Sequence, residues 1–163
     1  MYDGNLIKKY TGIHIDNLDL LELKLEADNI EEKEITIFKD DFNKTYNKNR
    51  NISKNEIDVR AKYYTALEKI ILENNYMGVS LKCGSGPGKL LGFTPCMLLS
   101  LIGEMVNTIC EDDIYGLIAQ TIINKITGLK PMFLEIFEFY KNSALMASCG
   151  YAPFSLCRED CIS

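Results

Sequence analysis

Three carboxylates stand in a row behind a cysteine at Cys110-Glu111-Asp112-Asp113. Neighbouring acids repel one another, so their grouping asks for a reason. One reason is a helix start. Asp112 or Asp113 would accept from backbone N–H groups, and acidic charge favours the positive end of a helix. That accounts for one or two of the three. The other reason is a divalent cation, because Mg²⁺ and Mn²⁺ take hard oxygen ligands. Spacing alone leaves both open.

A second feature is the loop Gly84-Ser85-Gly86-Pro87-Gly88-Lys89. It follows a strand-like run and precedes a helix-like one, the setting of a phosphate cradle. It fails both fingerprints. A Walker A loop needs Gly where Cys83 stands and Ser or Thr where Leu90 stands; a dinucleotide loop needs Gly at Lys89. A turn that uses glycine for unusual backbone angles is the simpler reading. Lys82, just before this loop, either snorkels or pairs with the acids across a sheet edge. Glu135 and Glu138, on the strand-like run MFLEIFEFY, are expected on opposite faces as edge charges, with the Tyr and Phe residues around them in the core. Cys157 and Cys161 form a lone C-x-x-x-C, and the one histidine, His14, is remote in sequence. Zinc needs about four ligands, so no zinc site is expected.

The elements that must hold these groups follow from pattern. Gly12–Asp16 alternates like a short strand. The run from Asp19 to Phe42 reads as two helices joined near Asp28-Asn29, with one of those two as a cap. Thr45–Asn55 is polar and reads as a loop or frayed helix end. Ser53, with Glu56 three residues on, opens a strong helix through a capping box, and that helix ends near Asn74-Asn75. Tyr76–Cys83 reads as a buried strand, about Thr94–Glu104 as a helix, and Val106–Cys110 as a strand. Asp113–Thr127 is a helix stopped at Gly128. Met132–Tyr140 and Ala144–Ser148 read as strands of a hairpin turning at Lys141-Asn142. Alternating strands and helices imply βαβ units and a largely parallel sheet. Right-handed crossovers then put the loops after Cys83 and Cys110 at one carboxyl edge, where α/β folds place their chemistry.

Composition narrows the classes. The 163 residues are 47% hydrophobic and 25% charged, enough for one domain with a core. A net charge of −5 offers no basic face for nucleic acid. Lys44, Lys48 and Arg50 lie in an Asn-rich stretch beside Asp40 and Asp41 and read as a solvated loop rather than a phosphate contact. The opening MYDGNLIKKY lacks the apolar region of a signal peptide. The longest apolar run, Pro95 to Ile102, falls far short of the ~20 residues of a membrane span. The six cysteines are scattered, so reduced thiols and a cytoplasmic location are expected.

From Phe93 to Leu156 the chain resembles L-fucose isomerase/L-arabinose isomerase-like sugar isomerases. The residues carrying the resemblance are Thr94-Pro95-Cys96, Cys110-Glu111-Asp112-Asp113, Ile126-Thr127-Gly128-Leu129-Lys130-Pro131 and Cys149-Gly150-Tyr151-Ala152-Pro153-Phe154-Ser155-Leu156. Each is weak alone; four in order are specific. Met1-Tyr2-Asp3-Gly4, Asp19–Leu23 and Lys82-Cys83 extend the likeness toward the start. The resemblance covers nearly the whole chain but only the central part of the family's length.

That resemblance implies a three-layer, Rossmann-like α/β domain with a mainly parallel sheet, preceded by helices and ending in a short antiparallel pair. It divides the chain into a helical entry segment and loop (1–52), the α/β domain (53–156) and a tail (157–163). It implies aldose–ketose isomerisation of a monosaccharide or small polyol by a homo-oligomer, with Mn²⁺ or Mg²⁺ assisting proton transfer through an enediol. Glu111 and Asp113 fall on the catalytic and metal-ligand turn, and Lys82 and Ser148 on the substrate side. Gly86 stands where many members carry an acid, Ser148 where many carry histidine, and Asp112 replaces a small residue, usually glycine. The chain alone is therefore expected to be inactive, and a non-catalytic sugar-binding or oligomerisation domain is the alternative.

Overall fold

Capping chemistry sets the helix boundaries in the first half of the chain. The computed structural model describes residues 2–46, 53–82, 87–148 and 150–156. Helix α1 (Gly4–Thr11) starts at Asp3, whose carboxylate accepts from the N–H groups of Asn5 and Leu6. Helix α2 (Leu20–Asp28) starts at Asp19, which accepts from Leu21, and ends at Asn29. Helix α3 spans Glu32–Tyr46. Helix α4 (Lys54–Asn74) opens with the capping box of Ser53 and Glu56 and closes on left-handed Asn75. A reciprocal box satisfies two donors that a helix start leaves orphaned.

The second half alternates. Strand β1 (Gly78–Leu81) leads to α5 (Pro87–Leu91) and α6 (Cys96–Ile102), then to β2 (Asn107–Cys110) and α7 (Ile114–Thr127). Strands β3 (Glu135–Phe139) and β4 (Ala144–Ala147) follow, then a single 3-10 turn at Phe154–Leu156. β1 and β2 pair in parallel, with Gly78 opposite Asn107 and Leu81 opposite Cys110. β3 and β4 pair antiparallel.

The core forms where α2, α3, α4 and α6 meet β1. Leu23, Ile35, Ala61, Leu67, Leu98 and Ile102 are buried together, and Val79 and Leu81 of β1 pack against them. The opposite side of β1 lies on α7. A Cβ on Gly78 would come within 2.9 Å of Leu117 Cδ1, so only glycine lets strand and helix approach so closely. A smaller cluster joins Leu99, Cys110 and Tyr151.

Several expectations hold: the two helices meeting at Asn29, the capping box, the stop at Gly128 (φ 70), and the order strand, helix, strand, helix, hairpin. Others are corrected. Gly12–Asp16 forms no ladder; Gly12 (φ 75) closes α1, a helix that the pattern reading missed, and the segment runs on as coil. Among the described residues the sheet expected from Tyr76–Cys83 and Val106–Cys110 is a two-stranded ladder, and β1 is half-buried along its length. α6 is shorter than Thr94–Glu104, and α5 precedes it. Glu135 and Glu138 do not take opposite faces. A register shift between Ile136 and Glu138 pairs them with Ala147 and Leu145, two residues apart on one face of β4. Of the aromatic residues near them, Phe133 packs against the cluster of Leu99, Cys110 and Tyr151, but Phe137, at 60%, and Phe139, at 77% accessible, are exposed rather than core. Cys83 and the first half of the glycine loop (Gly84–Gly86), Lys48, Arg50, Cys149 and the Cys157/Cys161 pair lie outside the described residues.

No helix among the described residues is long and apolar enough to cross a membrane.

Candidate functional site at the carboxyl edge of the parallel strands

A parallel pair delivers both of its outgoing loops to one edge, and the register makes this concrete. Leu81 lies opposite Cys110, so the next residues, Lys82 and Glu111, leave the sheet side by side. The two strands end at one edge, as the expected parallel pairing requires; residues 83–86 of the first loop lie outside the described residues.

The chain has little length in which to turn from β2 into α7. Glu111 (φ 64) and Asp112 (φ 61) are both left-handed to make that turn. This backbone costs a residue with a Cβ about 1–2 kcal/mol, less for Asp and Asn. Asp113 then caps α7: its Oδ1 accepts from the Gly116 N–H at 2.9 Å. Gly116 is required there, because an added Cβ would fall 2.5 Å from both Asp113 Oδ2 and Ile109 Cδ1. One of the three acids is thus accounted for by the helix start. Glu111 and Asp112 are exposed.

Ser148 is occupied elsewhere. Its hydroxyl donates to the Tyr151 carbonyl and accepts from the Tyr151 N–H at 3.3 Å. Tyr151 is buried and sends its own hydroxyl to the Thr108 carbonyl of β2 at 2.5 Å. The Ala152 N–H donates to Ser100 Oγ at 3.2 Å. Residues 151–152 are therefore stitched to α6 and β2, and Ser148 shapes that turn. A clamp holds the same region from outside. Lys130 Nζ donates to the Gly103 and Glu104 carbonyls at 2.9 and 2.8 Å and to Glu104 Oε2 at 3.1 Å. The other Glu104 oxygen accepts from the Ser155 N–H at 2.9 Å. Burial pushes the Glu104 carboxyl up, but the Ser155 N–H and the Lys130 ammonium outweigh it and hold the group below its ordinary value.

The cavity on the far side of β1 has a volume of about 300 Å³. One wall is β1 with Lys82 and Asp112 at its end; the other is the segment from His14 to Leu18. His14 Nε2 lies 2.9 Å from Asp16 Oδ1, and the Tyr2 hydroxyl donates to Asn17 Oδ1 at 2.7 Å. Burial and the Asp16 carboxylate push the Tyr76 phenol above its ordinary value. Sequence reasoning set His14 aside as remote; folding brings it to the same cavity as Lys82. The signal in the sequence was the polar string His14-Ile15-Asp16-Asn17, which alternation alone assigned to a strand.

For Mn²⁺ or Mg²⁺ the oxygen count falls short. Asp113 is engaged at the helix start, and among the described residues no three or more His, Cys, Asp or Glu side chains gather as a metal site. A six-oxygen cation needs more ligands than Glu111 and Asp113 supply. The described residues do not fit a metal by themselves.

No protein-family model matches the chain. The chain is similar to two curated proteins named sulfoquinovose isomerase. With that of Clostridium sp. (strain MSTE9) it shares 22% identity over 161 residues, covering 97% of this chain and 36% of that protein. With that of Alkalicoccus urumqiensis it shares 29% over 103 residues, covering 61% of this chain and 23% of that protein. The chain thus spans between about a quarter and a little over a third of the length of these relatives. The resemblance to sugar isomerases is found in this coarser form, as weak similarity to relatives named for sulfoquinovose.

Proposed function

We propose that this chain is a portion of an aldose–ketose isomerase-like protein that acts on a monosaccharide or related small polyol at the carboxyl edge of β1 and β2. One observation carries the reading: the parallel register sets Lys82 beside the Glu111 turn, in a chain similar along 97% of its length to a sulfoquinovose isomerase. In this reading Glu111, exposed and outside the helix cap, moves a proton between neighbouring sugar carbons through an enediol. Lys82 donates to a sugar oxygen. Asp113 is a positioning residue that fixes the turn through Gly116. Ser148 positions the Tyr151 segment behind β2.

The wider reading follows from the same resemblance. Residues 53–156 belong to a three-layer Rossmann-like domain. Glu111 would be one ligand of any Mn²⁺ or Mg²⁺, which would polarise the sugar oxygens and would need further ligands from beyond the described residues, and this chain alone is inactive. The protein is cytoplasmic and oligomeric; the exposed apolar residues of β3 and β4 support the second of these.

A chimera tests the proposal. The matching region of the Clostridium sulfoquinovose isomerase is replaced by this chain, and sulfoquinovose is followed in D₂O for deuterium entering at C2. Exchange that persists, and falls about 100-fold or more in Glu111→Gln, supports the catalytic reading. A folded chimera with no exchange above background sinks it.

A second reading, a sugar-binding or oligomerisation domain without catalysis, is favoured by two facts. Asp113 caps a helix, and the Ser148 hydroxyl is satisfied within its own turn. It expects sugar binding with no exchange.

A further inference from the structure

The cavity between residues 14–18 and β1 is polar at its rim and apolar at its floor. Leu23, Leu67 and Leu117 line the floor, and Asp16, Lys82 and Asp112 lie around the rim. In a parallel ladder, successive residues turn their backbone groups to alternate sides. The Asn107 N–H donates to the Met77 carbonyl at 3.3 Å, so the Met77, Val79 and Leu81 set faces β2. Gly78 and Ser80 then present their N–H and C=O groups to the outer edge, which the cavity borders. Among the described residues, no backbone hydrogen bond joins this edge to the segment from His14 to Leu18.

We infer that this cavity is a binding subsite for the hydroxylated tail of a sugar, whose reacting end points past Asp112 toward Glu111. The inference rests on the isomerase reading and adds to it the place where the non-reacting part of the substrate is held. An open strand edge offers donors and acceptors alternately. A hydroxyl, itself both donor and acceptor, satisfies either kind; a fully ionised oxyanion serves only the donors. The rim charges point the same way. One ammonium, Lys82, stands against two carboxylates, Asp112 and Asp16, the latter held by the His14 imidazole at 2.9 Å, and no group of cations gathers to receive a strongly anionic ligand. The leucine floor suits the C–H face of a sugar ring. About 300 Å³ lies at the small end of ligand pockets and suits a single sugar unit rather than a larger molecule.

Saturation-transfer NMR on the whole chain, with D-glucose and sulfoquinovose as probes, tests this. Asp16 and Lys82 are both exposed, so Asp16→Asn and Lys82→Met should leave the fold intact, which circular dichroism checks. The expected result is binding of D-glucose by the wild type, tighter than that of sulfoquinovose, whose sulfonate is a full oxyanion, and weakened about 5- to 10-fold in each variant, the loss of roughly one hydrogen bond. Binding unchanged in both variants, or abolished only by Glu111→Gln, overturns the subsite and leaves the isomerase reading standing. Binding of sulfoquinovose without D-glucose overturns the preference for uncharged hydroxyls. A folded wild type that binds neither sugar overturns both the subsite and the sugar reading of this chain.

Discussion

The parallel pair β1–β2 and the antiparallel pair β3–β4 are similar in length, and the second is the more apolar in sequence, yet it is the first that is covered. In β2, Thr108, Ile109 and Cys110 are buried, with α6 and α7 packed against the strand. In β3 and β4, Ile136, Phe137, Phe139, Leu145 and Met146 are each about half exposed or more. The cause lies in how each pair is connected. Parallel strands must be joined by a crossover, and its helices come with the pair and cover it. A hairpin closes through a short turn and brings no cover. Apolar residues in a strand show that burial would be favourable; connectivity decides whether anything arrives to bury them.

The sharpest way to break this comparison is truncation. Ile109→Ala, at a fully buried position, should cost about 3 kcal/mol in urea unfolding, within the range for large-to-small core changes. Phe139→Ala should cost under about 0.5 kcal/mol, as exposed substitutions do. Equal costs would show that the hairpin is buried by something the chain folds against, such as a second copy.

Smaller effects fall on the turn that leaves β2. Asp113→Ala removes the cap of α7 and should cost about 1 kcal/mol. Asp112→Gly relieves a left-handed backbone and should raise stability by up to about 1 kcal/mol in thermal melts. A loss of stability in Asp112→Gly would mean that the Asp112 side chain holds the turn through contacts of its own.

The next effect depends on pH. The Glu104 carboxyl lies below its ordinary value of 4.5 in the folded chain. A depressed carboxyl contributes stability that is fully present above the unfolded value and is lost as pH falls through the folded one. The melting temperature should therefore drop as pH goes below about 4.5, and Glu104→Gln should flatten that drop while lowering stability at pH 7. A variant with the same acid profile as the wild type would remove the clamp from the account. The least change in stability should come from Phe137→Lys. It should leave the melting temperature unchanged within error yet reduce the mass seen by light scattering, if β3 and β4 meet a second copy. A wild type that is monomeric at high concentration would count against oligomerisation altogether.

Local chemistry was legible. The Ser53–Glu56 box, the Asn29 junction, the Gly128 stop and the cap at Asp113 each depend on a few neighbouring residues, and the structure keeps all four. The shared edge of Lys82 and Glu111 was also legible, because parallel pairing follows from strands alternating with helices. Among the readings that failed, three show how distant parts of the chain decide. Gly12–Asp16 alternates like a strand but has no ladder partner, and Gly12 is used to end α1. Glu135 and Glu138 share a face because of a register shift that a period of two does not show. His14 was set aside as remote although it lines the same cavity as Lys82.

By itself the sequence determined the start of α4, the ends of α2, α4 and α7, the order of strands and helices from β1 onward, and the acidic turn after Cys110. Those features rest on hydrogen bonds and backbone angles among residues a few positions apart. Only the tertiary structure decided which apolar strands are covered, which acid is engaged at a helix start, and that His14, Asp16 and Lys82 border one cavity. Those outcomes depend on which distant segments compete for the same surface, and neither residue type nor spacing along the chain records the result of that competition.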